Sequence, residues 1–229
     1  MGKRIPRREA IGLMGAAGAA LAFGCSSNAP TSPTETGTGT STGGSTNAAC
    51  AVTPNETVGP YPSLADFFRS DIREGKPGTP LTLTITVVST GSSCGPVAGA
   101  NVEIWQCDAS GNYSQYGTQT QQTYLRGIQT TDASGQVTFV TVYPGWYQGR
   151  ATHIHVEVVR NGVSSKVTQI AFPEATNAAV YGTGVYASRG ANPTSNTRDG
   201  IFADSLNSEL AAVSGDPATG LAAHFLVAL

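Results

Sequence analysis

Charged side chains are scarce in this 229-residue chain. Asp, Glu, Lys and Arg make up 12% of it, against the ~25% usual in a soluble domain. Histidine is scarcer still, at three, and there are four cysteines and two tryptophans. Apolar residues reach 39%, too many for a chain disordered throughout. Ile11–Phe23 is the longest apolar run, and its 13 residues fall short of the ~20 a helix needs to cross a bilayer. From residue 50 onward there are 13 acidic and 9 basic residues and no basic cluster. Nucleic-acid binding is therefore not expected, because it needs a positive patch to displace counterions.

The positive charges that do cluster lie at the start. Lys3, Arg4, Arg7 and Arg8 precede the apolar run, the layout of an export signal rather than a buried helix. Arg7-Arg8 resembles the twin-arginine signal. Ala22-Phe23-Gly24-Cys25 resembles a bacterial lipoprotein processing site, with Cys25 as the lipidated residue. The chain is thus expected to be exported, either held in the cell envelope through a lipid at Cys25 or secreted outright. Residues 26–48 are a linker, since 20 of these 23 are Ser, Thr, Gly, Pro or Asn, a composition that buries no core. The predicted organisation is an export signal at 1–24, a linker at 25–49 and one catalytic domain at 50–229. Those last 180 residues are enough for a sizeable core.

Cys50, Cys94 and Cys107 remain, an odd number. In an oxidising compartment one disulfide is expected, three free thiols being the alternative. Cys94 and Cys107 read as the two ends of one strand, so Cys50 is expected to pair with one of them.

The body reads as all-β, a β-sandwich of mixed and antiparallel strands with long loops and at most a short helix near the C-terminus. Leu81–Ser89 alternates Thr with Leu, Ile and Val, the half-buried strand pattern. Further strands are expected at Val97–Cys107, Gln136–Val142, Thr152–Arg160, Lys166–Phe172 and His224–Leu229. Asp108-Ala-Ser-Gly111 and Asp132-Ala-Ser-Gly135 carry turn chemistry. From Glu174 to Gly220 the chain is Asn-, Gly- and Ser-rich, with room for a helix near Phe202–Val213.

Two of the three histidines, His153 and His155, sit two residues apart. On a strand they share a face, their bases roughly 7 Å apart, so they are either a chelating pair or two packed histidines. His224 belongs to another strand, and Asp108 and Asp132 have turn roles. Tyr147 and Tyr113 are then the available oxygen donors. A phenol with its reference pKa near 10 ligates only when a strongly charged cation such as Fe³⁺ deprotonates it. Alone, each tyrosine reads equally as a packed aromatic with a satisfied hydroxyl.

Several ordered motifs now coincide. Val102-Glu-Ile-Trp-Gln-Cys-Asp-Ala-Ser-Gly-Asn-Tyr113 is followed by Leu125-Arg-Gly-Ile-Gln-Thr-Thr-Asp132, Tyr143-Pro-Gly-Trp-Tyr147 and Arg150-Ala-Thr-His-Ile-His155. Together they resemble the intradiol ring-cleavage dioxygenases, the group of catechol 1,2-dioxygenase and protocatechuate 3,4-dioxygenase. The resemblance runs from about Thr53 to Phe172. It implies a non-haem Fe³⁺ held by Tyr113, Tyr147, His153 and His155, with Tyr147 the displaceable ligand. It implies that Arg150 steadies charge beside the substrate and that Gln169 is a pocket glutamine. Thr57-Val-Gly-Pro-Tyr61 resembles a site-lining segment of the family, which places Gly59, Pro60 and Tyr61 against the substrate; Trp105 and Trp146 read as core and rim aromatics, with Trp146 a further candidate to line the substrate. Val58 stands where the family has Glu.

The implied reaction opens a catechol-type ring between its two hydroxylated carbons with O₂, giving cis,cis-muconate-type products. Only Gln148 and Gly149 separate Tyr147 from Arg150, a shorter loop than in other members, which predicts an open mouth tolerant of larger catechols. The competing readings are a surface-tethered β-sandwich binding module without catalysis and an Fe²⁺ extradiol enzyme. The latter usually needs a carboxylate to complete its ligands. Arg126 and Asp132 read as structural.

Overall fold

A computed structural model describes residues 51–229; the expected export signal and linker, Cys25 and Cys50 lie outside the described residues. Among the described residues, nine strands form two sheets. Pro80–Ser89 (β1) lies at the centre of the first. It pairs antiparallel with Gln136–Val142 (β5) and, at its end, with Gly95–Pro96 (β2), while its other edge runs parallel to Gly220–Ala228 (β9). Ala212–Asp216 (β8) closes that edge. The second sheet has the order β4-β3-β6-β7, all antiparallel, from Arg126–Thr130, Asn101–Trp105, His153–Arg160 and Val163–Ala171.

The alternation of β1 explains its place. Leu81, Leu83, Ile85 and Val87 are buried, whereas Thr82 is exposed and Thr84 and Thr86 are half-buried. These apolar side chains meet Val102, Ile104, Ile154, Val156 and Val158 of the second sheet in one core. Segment 67–72 stitches the two sheets at one side. Ile128 N–H donates to Phe67 O, and Ile72 N–H donates to Val140 O.

Val97–Cys107 is not one strand: within it only Asn101–Trp105 (β3) is strand, and the chain turns at Gly99 on its way there from β2 in the other sheet. Cys94 is disulfide-bonded and Cys107 is a free buried thiol; the expected pairing of Cys50 falls outside the described residues. A short helix falls within the expected stretch, at Leu206–Glu209 (α2). A second, Glu174–Tyr181 (α1), was not expected from its composition.

Only one face of β6 looks into the core. His153, His155 and Glu157 occupy the other face and are nevertheless buried, because loops cover the outside of the second sheet there. The candidate site lies under those loops.

Candidate metal centre

Strand register assembles the floor of the site. His155 stands opposite Trp105 of β3 on one side and Gln169 of β7 on the other, and His153 opposite Ala171. Trp105 stacks flat on the His155 ring, centroids 4.9 Å apart and planes 2° from parallel. On the other side the strap Thr57–Tyr61 passes so close that a Cβ on Gly59 would sit 2.8 Å from His155 Cε1.

Two loops bring the tyrosines in. After β3, the Asp108 turn is pinned by its own carboxylate, which accepts N–H bonds from Ser110 at 3.0 Å and Asn112 at 2.9 Å. This delivers Tyr113. The Tyr143–Tyr147 loop crosses that turn backbone to backbone at Gly145, where a Cβ would overlap the Asp108 carbonyl oxygen, and delivers Tyr147. The two phenol rings lie edge to face with centroids 5.8 Å apart. Tyr61 stacks on Tyr113 at 4.6 Å and meets Tyr147 edge-on at 5.9 Å.

The four side chains converge. His153 Nε2 lies 3.2 Å from His155 Nε2 and 3.4 Å from the Tyr147 hydroxyl. His153 Nδ1 lies 2.6 Å from Ala151 O. A carbonyl only accepts, so Nδ1 carries the proton. Burial and the nearby Arg150 push the His153 pKa down to about 3, so the ring is neutral and Nε2 presents a lone pair. Burial, then the charges of His153, Arg150 and Arg126, hold His155 well below its ordinary value too. The Tyr113 hydroxyl and His155 Nδ1 are buried with no hydrogen-bond partner. A polar group left so costs about 1–3 kcal/mol.

This donor set fits a hard cation. A cation among these atoms would draw in the imidazole lone pair and give the orphaned Tyr113 oxygen a partner. Burial pushes the Tyr113 and Tyr147 phenols up, so neither ionises without a positive neighbour. Cys107, packed with Trp105 and Tyr113, is pushed up to about 12 by burial and stays a thiol. Among the described residues, no three His, Cys, Asp or Glu side chains gather as ligands.

Arg150 reaches Gln169 Oε1 with an Nη2–H bond of 2.6 Å, and Gln169 in turn donates to Thr57 O at 3.0 Å. Arg150 also lowers the Tyr147 pKa against the larger effect of burial. Val58 packs against the cluster of Trp105, Cys107 and Tyr113, an apolar wall to the site. Trp146 donates to Gly190 O at 3.1 Å and lies under Arg189, 4.2 Å from its ring centroid. Pro60 is exposed, as are Gln148 and Gly149 of the short loop.

Two residues belong to this assembly that the motifs did not single out for the site. Arg126, fully buried, donates to Ser114 Oγ, Ser114 O and Tyr61 O at 2.7–3.0 Å, tying the loop that carries Tyr113 to the Thr57–Tyr61 strap. Asp199, also fully buried, accepts from Arg150 Nε at 2.8 Å. It lies in the Asn/Gly/Ser-rich stretch, where no local pattern marks it.

A two-sheet β-sandwich with two histidines on an outer strand face and two loop-borne tyrosines above them matches known proteins. A family model described as Dioxygenase covers residues 61–189, more than half of the chain. The intradiol ring-cleavage dioxygenase of Tetranychus urticae is 31% identical and superposes with a TM-score of 0.70, over 78% of this chain and 94% of that one. The dioxygenase domain of a dioxygenase–carbohydrate-binding protein fusion from Streptomyces sp. SirexAA-E is 30% identical, TM-score 0.60, over 78% and 98% of the two chains. The protocatechuate 3,4-dioxygenase beta chain of Burkholderia cepacia is 31% identical over 122 residues, 47% of this chain and 51% of that one. This chain thus spans about half the length of that relative. It belongs to the intradiol ring-cleavage dioxygenase family.

Proposed function

We propose that this protein is an exported non-haem Fe³⁺ dioxygenase that opens catechol-type rings between the two hydroxylated carbons, consuming O₂ and releasing cis,cis-muconate-type products. The observation that carries the reading is the convergence of the His153 and His155 Nε2 atoms, 3.2 Å apart, with the two phenols. Tyr113, Tyr147, His153 and His155 would hold the iron. When bound, the metal supplies the Lewis acidity that ionises the phenols and orients a catecholate toward O₂.

The remaining work falls to the chain. Tyr113, deep in the site beneath Tyr61, is the fixed phenolate. Tyr147 is half-buried and is the one able to swing away, its Oη taking a proton from the incoming catechol. Arg150, beside Tyr147, stabilises negative charge as it builds on the ring. Trp105, Val58 and Tyr61 keep water from the inner side. Gln148 and Gly149 are exposed and a Cβ on Gly149 would meet nothing within 4 Å, which supports a mouth open to a broad range of ring-substituted catechols. The basic start, apolar run and Ser/Thr/Gly-rich linker support export, with Cys25 as a lipid anchor.

The test is a product assay. Purified protein supplied with catechol and ¹⁸O₂ should yield cis,cis-muconate carrying both labelled atoms, with comparable turnover of bulky catechols. An extradiol semialdehyde, or untouched substrate, would refute the assignment. Strict preference for unsubstituted catechol would refute only the open mouth.

A further inference from the structure

Asp199 follows the 3-10 turn Asn196–Arg198, beyond the segment that the family model covers. Its side chain is fully buried and fully engaged. Oδ2 accepts Arg150 Nε–H at 2.8 Å and Ala151 N–H at 2.6 Å, and Oδ1 accepts Ile201 N–H at 2.8 Å. Burial pushes this carboxyl up, but the bonds from Arg150, Ala151 and Ile201 outweigh it and the net shift is downward. Asp199 is therefore ionised. Among the described residues it is the one carboxylate in ion-pair contact with Arg150. Ala151, held by the same oxygen, passes its carbonyl to His153 Nδ1–H.

A guanidinium on a flexible stem helps catalysis only where its plane is fixed beforehand. Here two of its nitrogens are held, Nε by Asp199 and Nη2 by Gln169. We propose that Asp199 is the positioning residue for Arg150, fixing the plane of the guanidinium beside the candidate ligands and so governing turnover of a bound catechol rather than retention of the metal. This rests on the function proposed above.

The test is a double-mutant cycle of wild type, Asp199→Asn, Arg150→Met and the double variant. Each is measured for iron per chain, visible spectrum, anaerobic binding of 4-nitrocatechol, and kcat and KM with catechol. Asp199→Asn should keep iron and spectrum, bind 4-nitrocatechol within about threefold of wild type, and lose about 10- to 100-fold in kcat. In the Arg150→Met background the same change should alter kcat less than about twofold. Equal losses in both backgrounds would overturn the proposal. If Asp199→Asn fails to fold, Asp199→Ser repeats the cycle, and loss of iron from both would leave Asp199 purely structural. Wild type that holds no iron or leaves catechol intact refutes the function itself. Active wild type with additive variants refutes only the role of Asp199.

Discussion

Gly59 sets how closely the strap can pass over His155. Its φ of +71° lies where L side chains are strained, and an added Cβ would press on the imidazole at 2.8 Å. The strap cannot simply lift, because Thr57 O is held by Gln169 and Tyr61 O by Arg126. Gly59→Ala should therefore lower the thermal midpoint, by about 1 kcal/mol of stability or more, and also reduce iron per chain by tilting His155. Lowered stability with full iron loading would show that the strap yields instead. At this scale His153 and His155 were legible, because strand alternation is a local rule and fixes which side chains share a face. Tyr113 and Tyr147 came from motif resemblance. Asp199 and Arg126 were not legible as site residues: each acts on partners far along the chain, Asp199 carries no local pattern, and Arg126 sits in a motif that reads as structural.

Among the elements, those with clear alternation could be read directly: β1 and β5 fall where Thr and apolar residues interleave, and β6 and β7 where other polar residues do. β4 (Arg-Gly-Ile-Gln-Thr) and β8 (Ala-Val-Ser-Gly-Asp) have no such pattern and are strands because β3 and β9 offer them partners. Helix α1 hides in a polar stretch and buries Asn177, Val180 and Tyr181. The short α2 carries a titratable group with a measurable consequence. Glu209 is fully buried against Thr168 and Ser205, and burial, with Glu56 and Asp204 adding repulsion, pushes its pKa from 4.5 to about 7. The folded state thus favours the protonated acid. Its contribution is fully present below pH ~4.5 and is lost as pH rises through ~7. Glu209→Gln removes the titration, so the thermal midpoint of the variant relative to wild type should climb between pH 5 and pH 8. A difference that stays flat over that range would contradict the assigned burial.

At the scale of the molecule, a charge-poor sandwich places its chemistry outside its core. The apolar residues of both sheets fill the interior, and the outer face of the second sheet, roofed by loops, is left for histidines and tyrosines. The low charge content persists in the folded part, and the charged groups that count are the buried Arg126 and Asp199 and the half-buried Arg150. The proposed tether predicts a location: Cys25→Ser should move the protein from the membrane fraction to the soluble fraction of the envelope or medium. An unchanged distribution would exclude the lipid anchor while leaving the folded domain untouched. The central claim is that two tyrosines and two histidines of this chain hold Fe³⁺, and iron content read together with the visible spectrum tests it most directly. One iron per chain is expected, with a broad visible band from phenolate-to-iron charge transfer that shifts on anaerobic addition of catechol and changes in Tyr147→Phe. A colourless protein without iron, or a spectrum indifferent to Tyr147→Phe, would contradict it.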